Sequence, residues 1–313
     1  MPPADVAVLL GVSWRSGQAE VRLRRGRSST SVLEPLVGMS LHYRPTGRRV
    51  CLGHVPFRNA KVDYLDCTRP PLPGSKRCDR CSAAEATFAA SLHHAHTREL
   101  SMIDPAVREH LQQPNHLYLA GFRDGSLKVG TTTASRAQQR LAEQGAWRAC
   151  LVADATDGVA VRQLEDAVTE VLDIPQSVSI TRKLDGLAVS SALEAAEREH
   201  VLAAAIDAAA AKVHRLIEHA GDARFVAADT DWLAPSHDHP IWDRVHRYPL
   251  PLDQDAHQLE ILDVVGRAVA FGRPGGNRVN GDVFVADLGR LFGLELELGD
   301  HGSTEVVVQE SLF

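Results

Sequence analysis

The stretch His116–Ala146, HLYLAGFRDGSLKVGTTTASRAQQRLAEQGA, decides how the rest of the chain is read. Two short apolar runs, Leu117–Phe122 and Leu127–Thr131, flank Asp124-Gly125, and strand-like runs joined by Asp-Gly are a strong hairpin signal. A two-residue loop would put Tyr118 and Lys128 on opposite faces of the hairpin; a three-residue loop would put them on one face. Ser135-Arg-Ala-Gln138 has capping-box spacing and predicts a helix over Arg136–Gln144, with Arg140 and Gln144 one turn apart. Arg148–Ala153 is again apolar and strand-like. A helix is predicted over Val159–Leu172, where Val161, Leu164, Val168, Val171 and Leu172 recur at helical spacing. Glu165 falls on the border of that apolar stripe, and Asp166 and Glu170 fall on the outer face. A carboxylate at such a border is either a ligand or general base, or a boundary residue that reaches water.

Working outward, 34 Lys and Arg against 40 Asp and Glu give a net charge of −6, which excludes a basic nucleic-acid coat but leaves room for a local basic face. No apolar run approaches the roughly 18–20 residues of a membrane-spanning helix. The N-terminal MPPADVAVLLGVSWRSG lacks the charged and apolar regions of a signal peptide. A cytoplasmic location without membrane contact is therefore expected, and there clustered cysteines bind metal more often than they form disulfides.

Four of the five cysteines cluster as C-x15-C-x10-C-x2-C: Cys51, Cys67, Cys78 and Cys81. The loop around Arg69–Gly74 is rich in turn residues and poor in core residues, so it needs a staple, which a tetrahedral zinc on four thiolates supplies. Such a zinc is structural, since four protein ligands leave no open position. His54 is a rival ligand, because Cys51-Leu-Gly-His54 also has knuckle spacing. Ser82-Ala-Ala-Glu85 predicts a helix beginning directly after Cys81. Residues 82–112 read as helical, with His93, His94 and His96 on a polar face and Asp104-Pro105 opening a further helix.

Toward the ends, strands are predicted at Val6–Val12, Ala19–Leu23, Leu36–Tyr43, Leu259–Phe271, Asp282–Ala286, Leu294–Leu298 and Glu305–Val308. Arg22, Arg24, Arg25 and Arg27 form a basic run, read as a solvated edge rather than a phosphate contact. Asp173–Asp185 reads as a connector in which Lys183 has no assigned role. Ser191-Ala-Leu-Glu194 starts a long Ala-rich helix ending at Gly221. Residues 222–256 look loop-like; Trp232, Trp242 and Tyr248 lie there, as aromatic packing or as stacking platforms. Segments 1–50 and 222–313 are expected to flank the centre, the two termini meeting in one small β domain. The zinc module occupies 51–112, the central domain 113–186 and the long helix 187–221.

The central stretch resembles the GIY-YIG nuclease core, with His116-Leu117-Tyr118 at the first motif and Lys128-Val129-Gly130 at the second. Arg140 then stands at that family's Arg and Glu165 at its metal-binding Glu. Lys128 replaces the second Tyr, and Gln144 stands four after the Arg, where a His or Tyr is common. A closer resemblance is to the uncharacterised domain of unknown function 2797 family. That family has a Cys-rich module followed by H-x-YLA, KVG, an Arg-rich helix, QGA and a Glu in the next helix. Here these are His116, Tyr118-Leu119-Ala120, Lys128-Val129-Gly130, Arg136 and Arg140, Gln144-Gly145-Ala146, and Glu165.

The resulting expectation is an α+β chain with a GIY-YIG-like centre, a zinc module and a flanking β domain, acting on DNA or RNA. The resemblance implies Mg²⁺ or Mn²⁺ at Glu165, a phosphate clamp at Arg140, and Tyr118 or Lys128 acting on a water. The alternatives are a non-catalytic nucleic-acid binder and a structural or interaction protein on the same scaffold.

Overall fold

A computed structural model describes residues 5–26, 28–55, 57–58, 61–62, 64–93, 95–97, 103, 105–274 and 283–302. The elements of the first part are β1 (Val6–Arg15), β2 (Gln18–Arg25), β3 (Val32–Pro35), β4 (Ser40–Arg49), β5 (Phe57–Arg58), β6 (Lys61–Val62), α1 (Asp79–His93) and α2 (Pro105–Leu111). The centre holds β7 (Asn115–Gly121), β8 (Leu127–Thr133), α3 (Ala137–Gln144), β9 (Arg148–Ala155), α4 (Gly158–Leu172), α5 (Ile180–Leu187) and α6 (Ala192–Ala220). Then come β10 (Phe225–Leu233), β11 (His246–Arg247), β12 (His257–Val265), β13 (Ala268–Gly272), β14 (Phe284–Asp287) and β15 (Leu294–Leu298). The chain is thus α+β, and among the described residues no helix is long and apolar enough to cross a membrane.

Two sheets organise these elements. The central sheet has the order β10-β9-β7-β8, with every neighbouring pair antiparallel. The second runs β11-β14-β13-β12-β4-β15-β1-β2-β3, so strands from both ends of the chain share it. Helix α4 packs on β7 and β8, and α6 packs on β7, β9 and β10. At Gly121 a Cβ would lie 2.6 Å from a Leu202 methyl, so α6 seats tightly on the central sheet there. Six residues of α6 from Leu202 to Ile217 are buried, and they include Ala209 and Ala210, whose small side chains permit the close approach.

The β7–β8 register settles the loop question. Tyr118 pairs with Gly130 and Ala120 with Lys128, so Tyr118 and Lys128 share one face. The loop has three residues, Arg123-Asp124-Gly125, because Phe122 and Ser126 still pair (Phe122 N to Ser126 O, 3.0 Å). Only Gly125 takes positive φ (+81°), whereas the two-residue Asp-Gly turn would need it at both positions.

Several local expectations change. Ser135 lies inside a 3-10 turn (Ala134–Arg136) and no side chain caps α3, so the capping box there does not form. Helix α1 begins at Asp79, which puts Cys81 in its first turn. Glu85 instead accepts a hydrogen bond from Val55 N at 3.0 Å. The connector Asp173–Asp185 contains the start of α5, capped by Ser179. Residues 222–256 are not all loop: β10 pairs with β9, and its mostly exposed residues, without apolar-polar alternation, hid the strand pattern. Trp232, Trp242 and Tyr248 are buried and unavailable for stacking on a ligand. In the basic run, Arg24 is buried and Arg25 pairs with Glu34, so these two are structural. Arg27, His94, Asp104 and the strand expected at Glu305–Val308 lie outside the described residues.

Candidate functional site

The cysteine module is tied to the large sheet. Cys51 follows β4 directly, and Cys78 and Cys81 enter α1. The Sγ atoms of Cys51, Cys67, Cys78 and Cys81 lie within 4.8 Å of one another, and His54 is not in the group. Cys67 and Cys78 are 3.9 Å apart, close to the roughly 3.8 Å edge of a tetrahedron built on Zn–S bonds of about 2.3 Å. The amides of Gly53 (3.3 Å) and Cys78 (3.2 Å) both point at Cys51 Sγ, as suits a thiolate. Gly53 sits at φ +77°, and a Cβ there would run into the Leu65 carbonyl. Arg24 holds the Cys67 carbonyl (3.0 Å), and Lys76 reaches Gly289 O (2.5 Å), which fixes the module to the large sheet. These four residues can hold a metal ion such as zinc.

A second cluster forms on the Tyr118 face of the central sheet. Tyr118 is fully buried beneath Gly130, whose missing Cβ leaves room for the ring. Its hydroxyl faces the Arg140 guanidinium, yet no described atom gives it a hydrogen bond of good geometry. Burial, tempered by Arg140, raises the Tyr118 pKa. Lys128 is 6 % exposed and donates from Nζ to Gln144 Oε1 at 3.0 Å. Burial, reinforced by Arg140, pushes its ammonium down to about 8. Glu165, from α4, is 4 % exposed and accepts from Arg162 Nη1 at 2.6 Å. Burial still raises its pKa against that partner.

Gln144 is a node. Its side-chain oxygen accepts from Lys128, and its main-chain oxygen accepts from Lys183 Nζ at 2.7 Å. Lys183 also lies over the Phe122 ring at 4.5 Å. Burial, with Lys128, Arg267 and Arg140 nearby, pushes its ammonium down to about 8. Gly145, next in chain, caps α3 at φ +65° and packs against the β12–β13 turn. There a Cβ on Gly266 would lie 2.7 Å from Gly145 Cα. Trp14 Nε1 fastens the same turn by donating to Gly266 O at 2.9 Å. The glycine after Gln144 therefore lets the large sheet approach the site, and Arg267 on that turn is held by Asp287 at 2.8 Å.

The structure brings Tyr118, Lys128, Arg140 and Glu165 into one cluster and adds Arg162, Lys183 and Gln144. Arg162 was detectable, since it stands three residues before Glu165 on one helix face. Lys183 had no local signal, because its helix lies in a stretch without long apolar periodicity. His116, the first residue of the motif, pairs with Asp154 across β7 and β9 at 2.6 Å and takes no part in the cluster. His237, in the Ser236–Pro240 stretch, pairs with Glu199 (3.2 Å) and Asp238 (2.8 Å), and Ser236 bonds Asp263.

Both clusters lie within one family match. The profile described as "Protein of unknown function (DUF2797)" matches residues 38–229, more than half of the chain, and the chain belongs to that family. No curated protein and no solved structure matches it.

Proposed function

Taking that membership as the premise, we propose that the Tyr118–Lys128–Arg140–Glu165 cluster binds a phosphate group of nucleic acid on a GIY-YIG-like central domain. The four-cysteine module serves as a separate structural zinc site. One observation carries the reading. Lys128, Arg140, Arg162 and Lys183 bring four positive charges to a largely buried place where, among the described residues, Glu165 is the one buried carboxylate (its neighbour Asp166 is exposed and paired with His96), a surplus of three. Buried cations without counterions are unfavourable unless a ligand supplies the negative charge. Arg140 offers a planar fork suited to phosphate oxygens, and each lysine offers a point charge.

The same donors do not fit a resident Mg²⁺ or Mn²⁺. Such ions keep several waters but rest on one or two carboxylates in a site of negative charge, and here the side chains around the carboxylate are cationic. Here one carboxylate acts on Tyr118 and Lys128, and one of its oxygens is engaged by Arg162. No step is therefore assigned to a metal at Glu165.

A second reading, phosphodiester hydrolysis, is favoured by the buried Tyr118 hydroxyl with no hydrogen-bond partner among the described residues. It lies beside a lysine that titrates near 8 and can exchange a proton close to neutral pH. Neutral Lys128 would take the proton of an attacking water, which Tyr118 would orient while Arg140 holds the phosphate. The new P–O bond would form as the bond to the leaving sugar oxygen breaks, and that oxygen would take the proton back from the Lys128 ammonium, whose charge Glu165 supports.

The test is salt-dependent binding and cleavage of labelled DNA and RNA, with and without Mg²⁺ or Mn²⁺, for the wild type, Arg140→Ala and Glu165→Ala. The binding reading expects affinity that falls steeply with salt, is reduced by Arg140→Ala, and brings no cleavage. Cleavage by the wild type that is lost in both variants would establish the hydrolytic reading. Neither binding nor cleavage would refute both.

A further inference from the structure

We infer that this cluster receives a terminal phosphate, a dianionic phosphomonoester at a nucleic-acid end, and that Lys183 is the residue that selects it. The inference rests on the phosphate reading of the same site and narrows its ligand.

Three observations lead to it. The first is depth. Tyr118, Lys128 and Glu165 are almost wholly buried, while Arg140, Gln144, Arg162 and Lys183 are half-buried around them. An internal diester carries a sugar on each side and needs an open groove. A terminal phosphate has one bridging oxygen and can approach the half-buried Arg140, Arg162 and Lys183 end-on.

The second is closure on the β8 side. β8 is the edge strand of the central sheet, and residues 173–187 cover it. Val129 N donates to Pro175 O at 3.0 Å, so the edge is paired with the connector. Helix α5 then crosses to the hairpin loop. A Cβ on Gly186 would lie 3.0 Å from Arg123 C, and Arg182 pairs with Asp124 at 2.9 Å. Arg247 pairs with Asp185, and Arg198 bonds the Gly186 carbonyl at 2.9 Å, so α5 is held from its far side as well. A strand of nucleic acid therefore has no path past β8.

The third is charge. Lys183 Nζ is aimed inward at Gln144 O, and the charged groups acting on it are Lys128, Arg267 and Arg140, all cations. A monoanionic diester would neutralise one of the three surplus charges, and a dianion would neutralise two. The Tyr118 hydroxyl, which faces Arg140 and has no hydrogen bond of good geometry among the described residues, provides a further donor for a terminal oxygen.

The experiment compares binding of single-stranded oligonucleotides that differ only at their ends: 5′-phosphate, 3′-phosphate and hydroxyl at both ends. Wild-type protein and the Lys183→Met and Lys183→Arg variants are used, with inorganic phosphate as competitor. One phosphorylated end is expected to bind at least about tenfold more tightly than the hydroxyl-ended strand, the scale of one added charge-assisted contact. Inorganic phosphate should compete, Lys183→Met should abolish the preference, and Lys183→Arg should retain part of it. Wild-type affinity that is salt-sensitive but equal for all three ends would overturn the end-recognition inference and leave the phosphate reading standing. Absence of binding to any strand and to inorganic phosphate would remove both. A preference that survives in Lys183→Met would overturn the role given to Lys183.

Discussion

Gly130→Ala tests whether the close contact under Tyr118 is needed. A Cβ on residue 130 would lie 2.8 Å from Tyr118 Cε2, and Cζ and Oη would be nearer still. Carbon atoms in ordinary contact stand about 3.5–4.0 Å apart, so the ring must retreat by roughly 1 Å. Tyr118 is fully buried, and the retreat has to be taken up by close-packed neighbours. Overpacking of this kind costs about 1–3 kcal/mol. The backbone at Gly130 is not in the left-handed region, so alanine also stabilises through the unfolded chain by about 0.4–1 kcal/mol. The net expectation is a loss of roughly 1–2 kcal/mol. Urea unfolding followed by far-UV circular dichroism should show a lower midpoint at an unchanged slope. Pairing the change with Tyr118→Leu should recover part of the loss, because the smaller side chain vacates the contested space; a double-mutant cycle reads that coupling. The ring displacement also shifts the hydroxyl relative to Arg140, so oligonucleotide affinity should fall with stability. A Gly130→Ala protein as stable as the wild type, or more stable, would refute the reasoning.

Three further outcomes are expected. Lys128 and Lys183 titrate near 8 in the folded chain against about 10.4 when unfolded. The unfolded state therefore binds more protons between those values, and stability of the free protein should rise with pH across that window by on the order of 3 kcal/mol per lysine. Phosphate affinity should fall over the same window as the ammonium groups are lost, and a flat pair of curves in urea unfolding and anisotropy would count against the buried cations. Arg162→Met leaves Glu165 buried without its partner. A loss of about 1–3 kcal/mol is expected at pH 7 and a much smaller one near pH 4, where the carboxyl is protonated, as two chemical-unfolding series would show. Stripping metal with a chelator, or substituting Cys51→Ser, should release about one zinc per chain by atomic absorption and lower the thermal midpoint; a chain that carries no metal as purified and does not respond to added zinc would sink the thiolate assignment.

How much could be read from residue order alone differs element by element. The hairpin, the α3–β9–α4 succession and the four thiols all carry local signals, namely turn chemistry, 3.6-residue periodicity and knuckle spacing. Tyr118, Lys128, Arg140 and Glu165 were singled out by resemblance, and their convergence depends on a three-residue loop that Asp-Gly alone does not specify. Lys183 was invisible because its position comes from α5 folding back across the hairpin, a tertiary event. β10 was invisible because an edge strand with an exposed face lacks alternation. The Ser135 capping box failed because a 3-10 turn moved the helix start past it. The glycine of Gln144-Gly145-Ala146 acquires a reason only when Gly266, far along the chain, is found against it.

The large sheet also constrains the order of events during synthesis. β4 pairs with β12, as the His42–Glu260 contact across 218 positions shows, and β1 pairs with β15. Until those late strands emerge, β1 and β4 have open edges, and closing such distant loops is slow. The central sheet needs nothing beyond β10 for its own pairing, so it can form first on the ribosome. The Gly145–Gly266 contact and Trp14 would then be the last joints made. On that schedule the Lys128–Gln144–Lys183 cluster is assembled early, and its wall on the Arg267 side arrives only after β12 and β13 have emerged.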